Sequence, residues 1–285
     1  LSRKKKKISY QGQPYPVFNN QDKFLSSKMD VVIIVTPPAL HYENCKSALD
    51  YDKNIIVEKP ITINYQNTIE LCKIAEKKKL LLIEGFYYQE SSQHKKINQL
   101  IQDIGNDDIS INLKFGVPFL ERISFRSFKN LGASSFWDIG CYPISFISNL
   151  FSLNEVKVIK TDFYYDNDNL IDLKGFCLLN INSNTKCYLE WGIGMSYKNS
   201  IDVWSENISF TGHYVFSKPE KKKCMIEIFN KYGDKKVINF NNIDNIEIFL
   251  KNTYKNFYNK SFKQSKIIDI KKNAKLQKII LDSLN

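Results

Sequence analysis

A chain of 285 residues, 43% hydrophobic and 13% aromatic, can bury one large core or two ordinary ones, which excludes an intrinsically disordered protein. Its net charge of +11 comes from lysines scattered among Asn and Ile, with no basic helix, Arg-rich strip or zinc spacing. Neither a nucleic-acid partner nor a membrane surface is therefore expected.

Lys4–Lys7 is the one concentrated block of charge, a solvated loop or a phosphate contact. The six cysteines lie inside apolar runs without a C-x-x-C pair, as buried thiols of a reducing compartment do. No apolar stretch reaches the roughly 18 residues that a membrane span needs. The basic first ten residues lack a signal-peptide core, so the expected location is cytoplasmic.

The run to Asn20 is polar and broken by Gly12, Pro14 and Pro16, and a short helix is expected over residues 21–27. Asp30–Val35 is a continuous apolar run closed by Thr36-Pro37-Pro38, which suits a strand buried on both faces. A helix follows over Leu40–Tyr51, then a strand at Ile55–Val57. Asn64 can cap a helix running to about Lys78, and Leu80–Ile83 is a third strand ending at Glu84-Gly85. Strands and helices alternating at this spacing predict a parallel sheet with crossover helices. An amphipathic helix over Gln93–Ile104 comes next.

After Gly105 the pattern becomes β-rich. Strands are expected at Ile109–Val117, Val156–Tyr165, Leu173–Asn180, Lys186–Ile193, Ile201–Trp204, Tyr214–Phe216, Met225–Phe229 and Lys236–Phe240. Helices are expected around Ser135–Phe151, Asp244–Phe257 and Ile270–Leu284. The predicted architecture is a parallel α/β unit over residues 1–88 and an α+β unit with one large, mostly antiparallel sheet over residues 89–285.

In open α/β sheets ligands bind beyond the carboxyl ends of the strands. Three such ends converge here: Thr36-Pro37-Pro38, Glu58-Lys59-Pro60 and Glu84-Gly85. A lysine at a strand end is more often solvated than reactive, and a lone histidine such as His41 is more often a packed or capping group than a base. In the second half, Asp138 and Tyr142 are four residues apart and would share a helix face, although Pro143 disturbs that helix unless it lies in the first turn. A tyrosine hydroxyl can exchange a proton with a substrate oxygen when a nearby cation lowers its pKa, and Lys59 is the cation on offer.

The stretches DVVIIVTPPALHYENCKSAL, NIIVEKPIT, LLLIEGFYY and GASSFWDIGCYPISF together resemble the glucose–fructose oxidoreductase / inositol dehydrogenase (Gfo/Idh/MocA) family. The resemblance implies a Rossmann-type unit and hydride transfer between NADP or NAD and a hydroxyl or carbonyl carbon of a sugar-like substrate. It implies that Lys59 polarises the substrate oxygen, that Asp138 orients substrate and cofactor, that Tyr142 exchanges the proton, and that the Lys59–Pro60 bond is cis. Arg126, Trp137 and Tyr142 would face the substrate. Ser2, Arg3, Thr36, Pro37, Pro38, His41, Glu58, Lys59 and Glu84 would face the cofactor, with Arg3 beside the adenosine ribose and suited to a 2′-phosphate. A homodimer or homotetramer through the open face of the large sheet is also implied.

Three departures from the family pattern matter. The triple glycine is Gly132-Ala133-Ser134, Gln89 replaces a common arginine, and the chain opens at Leu1 without the first strand and its G-x-G-x-x-G turn. The expectation is a portion of a longer protein that by itself binds dinucleotide weakly. A non-catalytic regulator or an inactive remnant on the same fold is the competing reading.

Overall fold

The computed structural model describes residues 8–10, 13–105, 107–119, 124–154, 156–166, 168, 170–217, 222–241 and 244–284. Ser2 and Arg3, placed beside the adenosine ribose by the resemblance, lie outside these residues.

The polar run before Asn20 carries a short antiparallel hairpin of β1 (Ile8–Tyr10) and β2 (Gln13–Tyr15), which its composition did not announce. Asn20 then caps α1 (Gln21–Leu25), its side chain accepting from the Lys23 amide at 2.8 Å. A three-stranded parallel sheet follows in the order β3 (Val31–Ile34), β4 (Asn54–Val57), β5 (Leu82–Glu84). Its crossovers are α2 (His41–Asp50) and α3 (Tyr65–Lys78). Asn64 caps α3 as expected, accepting from the Asn67 amide at 3.0 Å, and Lys79 ends it in the left-handed conformation at φ 58°. β4 and β5 are almost wholly buried. Fully burying one such aliphatic side chain is worth roughly 1.5–3 kcal/mol, so the central strand anchors what lies at its end.

Past α4 (Ser92–Ile104), the second half is built on an eight-stranded sheet. Its strands in chain order are β6 (Ile109–Val117), β7 (Lys157–Tyr165), β8 (Asp172–Asn180), β9 (Thr185–Ile193), β10 (Lys198–Ser205), β11 (Ile208–His213), β12 (Met225–Asn230) and β13 (Lys235–Asn239). They lie side by side in the order β13-β12-β11-β10-β6-β9-β8-β7, and only β6 and β9 run parallel. The strand expected at Tyr214–Phe216 is a bend instead. The actual strand, β11, precedes it, and Tyr214 leaves the ladder at φ 59°. Helix α5 (Cys141–Leu150) packs on this sheet, and α6 (Asn245–Lys255) leads to α7 (Lys260–Asp282).

Helix α7 begins ten residues before the helix expected at Ile270, because residues 260–269 are mostly polar and show little periodicity. Its Ile267 and Ile270 enter the core of the first sheet, while Leu276 and Ile280 enter the core of the second. The C-terminal helix thereby pins the two sheets together.

A tighter seam lies at Gly132. Its φ is 89°, and a Cβ there would stand 3.0 Å from the Ala39 amide nitrogen and 3.1 Å from the Pro38 Cβ. The loop before α5 can thus meet the turn after β3 only through a glycine. Gly132→Ala is expected to lower stability by about 1–3 kcal/mol in urea denaturation. Gly105→Ala is the control: its φ is 73° with nothing within 4 Å, so it carries backbone strain without a clash and should cost less than Gly132→Ala.

Candidate active site

The carboxyl end of β4 delivers Lys59 toward the start of α5. Lys59 Nζ lies 2.8 Å from Asp138 Oδ1 and 2.6 Å from the Asp138 carbonyl oxygen. Arg126 closes the carboxylate from the other side, its Nη2 at 3.0 Å from Oδ1 and its Nε against Oδ2. Asp138 is 3% exposed, so two cations converge on one buried carboxylate. The Lys59–Pro60 bond is cis.

The local reason for this geometry is a widened helical turn. Phe136–Gly140 is π-helical and runs directly into α5. In π register the carbonyl of residue 138 would accept from the amide of residue 143. That residue is Pro143, which has no N–H, and the Asp138 carbonyl accepts instead from Lys59 and from the Cys141 thiol at 3.6 Å. Pro143 sits in the first turn of α5, where it interrupts nothing. Asp172, 8% exposed, anchors the turn by accepting from the Ser135 hydroxyl at 2.7 Å and the Phe136 amide at 2.8 Å. Gly140 allows it to lie on the sheet, since a Cβ would stand 2.9 Å from the Trp191 ring.

Lys59 Nζ lies 4.9 Å from the centroid of the Tyr142 ring, which is enclosed by Phe86, Phe115 and Phe216 at 5.5, 5.1 and 5.6 Å. Burial by itself lowers the Lys59 pKa. Tyr142, which bears charge only in strongly alkaline solution, Asp138 and the hydrogen bond to Asp138 outweigh it, and the pKa rises above the usual lysine value. Asp138 responds in the opposite sense. Burial pushes its pKa up, but Lys59 and Arg126 together hold it below the usual aspartate range. The expected lowering of the Tyr142 pKa by Lys59 is present but outweighed. Burial dominates, and the phenol is pushed up to about 12, so it is protonated at neutral pH.

Two residues expected to face a cofactor hydrogen-bond to the protein itself. His41 is 1% exposed and spends both ring nitrogens on the chain, Nδ1 lying 2.7 Å from the Pro60 carbonyl and Nε2 2.7 Å from the Thr36 carbonyl. It staples the first two strand ends together, and burial, its largest influence, lowers its pKa against the pull of the two carbonyls. Glu84 is also buried. Its Oε1 accepts from the Ile61 amide at 2.9 Å and its Oε2 from Asn273 Nδ2 at 3.1 Å. Thr36 is exposed, with Pro37 and Pro38 behind it, and its hydroxyl accepts from Asn44. Glu58, half-buried, accepts from the Tyr87 hydroxyl at 2.7 Å. Trp137 packs on Phe136 and lines a cleft of about 240 Å³ with Thr62, Asn64 and Gln277.

Asp172, Tyr87 and Asn273 were not among the residues expected from sequence, because each acts across 29 or more positions and no local pattern marks it. Among the described residues, no group of three or more His, Cys, Asp or Glu could hold a metal ion, and no helix is long and apolar enough to cross a membrane.

A sequence model of the Gfo/Idh/MocA oxidoreductase family, with its NAD-binding Rossmann fold, matches residues 3–86. The chain is 27% identical over 204 residues to the dTDP-3,4-didehydro-2,6-dideoxy-α-D-glucose 3-reductase of Saccharopolyspora spinosa, covering 71% of this chain and 61% of that protein. It is 28% identical over 125 residues to the trans-1,2-dihydrobenzene-1,2-diol dehydrogenase of Xenopus tropicalis, covering 44% of this chain and 38% of that protein. The chain thus spans less than two thirds of these relatives' length.

Among solved structures, its fold matches KijD10, a 3-ketoreductase from Actinomadura kijaniata in complex with NADP and TDP-benzene. The TM-score is 0.85 at 19% identity, covering 95% of this chain and 83% of that one. It also matches an aldose–aldose oxidoreductase from Caulobacter crescentus complexed with glycerol, at a TM-score of 0.76 and 13% identity, covering 92% and 80% of the two chains.

Proposed function

We propose that the chain, whose residues 3–86 match the model of the Gfo/Idh/MocA oxidoreductase family, carries the proton-transfer machinery of an NADP-dependent sugar oxidoreductase. The preferred substrate is a keto-sugar carried on a nucleoside diphosphate, as in the reductases it resembles. One observation carries the reading: a buried, charged lysine held between Asp138 and the ring of Tyr142. A structural ion pair needs no tyrosine at that place, whereas ketone reduction needs both a cation and a proton donor.

The residues fit the nicotinamide end of the cofactor. Thr36 and Glu58 stand at adjacent carboxyl ends of a parallel sheet, and Gly132 lets the opposite wall close onto the turn after β3. NADPH, when bound, supplies the hydride. Tyr142 is protonated at rest and donates its proton to the substrate oxygen, and Lys59 stabilises the phenolate left behind. Asp138 keeps Lys59 charged and aimed, while Arg126 neutralises the second carboxylate oxygen and presents the rest of its guanidinium to an anionic or hydroxylated substrate.

The test is nicotinamide absorbance against aldoses, inositols, dihydrodiols and nucleotide-linked keto-sugars, each with NADPH and NADH. Turnover should appear with the nucleotide-linked ketone and favour NADPH. Binding of NADPH without turnover of any substrate would instead support a regulator on the same fold.

A further inference from the structure

Glu84 has no part in that proton transfer, yet it is placed to govern it. It ends β5 in register with Val57, two residues before Lys59. One carboxylate oxygen holds the amide of Ile61, just after the cis Lys59–Pro60 bond, and the other holds the side chain of Asn273 on α7. The turn that aims Lys59 is thereby tied, through a single buried carboxylate, to the helix that joins the two sheets.

The carboxylate is also able to change state without leaving its place. The Asn273 side chain donates to it through Nδ2, while Asn273 Oδ1 is buried and has no hydrogen-bond partner. If the carboxyl gains a proton on Oε2, rotation of the Asn273 amide turns that unused oxygen into its acceptor, and Oε1 keeps the Ile61 amide. A cavity of about 20 Å³, room for one water, lies against Glu84, Ser145, Asn149 and Asn273. Burial favours the neutral form, and the carboxyl is pushed up to about 7 against the Ile61 and Asn273 hydrogen bonds and the Lys59 charge.

We propose that Glu84 is a positioning residue whose protonation, read through Ile61 and Asn273, sets the electrostatic environment and the aim of Lys59. Ionised, it adds a negative charge within electrostatic reach of Lys59 besides Asp138. Neutral, it leaves Asp138 and Arg126 as the charges that orient the lysine. The other titratable groups around it are Cys72 on α3, Cys141 on α5, Glu90 before α4, and Lys266 and Asp269 on α7. The inference deepens the proposed function and concerns the same lysine, but its test does not require turnover.

The sign of the stability effect follows from the raised pKa. The contribution of Glu84 is fully present below the ordinary glutamate pKa of about 4.5 and is lost as pH rises through about 7. Glu84→Gln should therefore match the wild type near pH 5 and melt roughly 5 °C higher than it at pH 8.

The deciding measurement is the amide shift of Ile61 in selectively ¹⁵N-isoleucine-labelled chain, followed from pH 5 to 9. In the wild type it should titrate with a midpoint near 7, in Glu84→Gln it should be flat, and in Glu90→Gln and Asp269→Asn the titration should persist. A flat Ile61 profile in the wild type, or a titration that survives Glu84→Gln, overturns the proposal. Loss of turnover with the Ile61 titration intact would strike the oxidoreductase reading alone.

Discussion

Lys59→Met should reduce kcat/KM by about 100-fold or more and also destabilise the fold, two effects with separable causes. The lysine is 12% exposed at its side chain and Asp138 4%, so this is a buried pair. Removing the ammonium leaves the carboxylate with Arg126 alone and takes a donor from the Asp138 carbonyl. Breaking one partner of such a pair costs about 3 kcal/mol, which urea denaturation will read. Lys59→Met combined with Asp138→Asn removes the orphaned charge as well. Arg126, about a third exposed, can then rehydrate. The double variant should recover most of the lost stability and none of the activity. If activity returns together with stability, the lysine is a structural group and the proposed role fails.

Tyr142→Phe isolates the proton. The phenylalanine ring keeps its edge contacts with Phe86, Phe115 and Phe216, so stability should change by less than about 1 kcal/mol. Turnover should nevertheless fall by about 100-fold or more, with kcat and kcat/KM falling together, because the hydroxyl acts only in the transition state. A rise in KM with kcat unchanged would make Tyr142 a substrate contact instead. Wild-type turnover in this variant would remove it from the mechanism.

The Lys59–Tyr142 pairing was readable in the chain because its parts are local. A strand that ends in Glu-Lys-Pro and a helix start with Asp and Tyr four apart each declare a backbone geometry by themselves. The resemblance then joined two segments 79 positions apart, which periodicity cannot do. Pro143 shows the limit of local reading. By sequence it threatens the helix; in the fold it follows a turn widened to π register and has no amide to offer the Asp138 carbonyl, which accepts from Lys59 and the Cys141 thiol.

His41 and Glu84 show where sequence reading could not reach. The resemblance placed both toward a cofactor, near the carboxyl ends of the strands, where ligands bind in such sheets. Which way a buried polar side chain turns is decided by the unpaired backbone groups it finds, since an unmet donor or acceptor in the interior is costly. His41 found the carbonyls of Thr36 and Pro60, and Glu84 found the amide of Ile61.

The sequence by itself determined the alternating α/β start and the large second sheet, because strand ends, caps and helix faces follow from neighbours in the chain, and the resemblance singled out the lysine, aspartate and tyrosine. Only the tertiary structure decided what those residues touch. Arg126 closing on Asp138, Asp172 holding the widened turn, and α7 reaching back through Asn273 to brace the Lys59 turn are contacts between distant segments. They exist because buried charges and buried backbone groups must each find a partner, and the partner was supplied by packing.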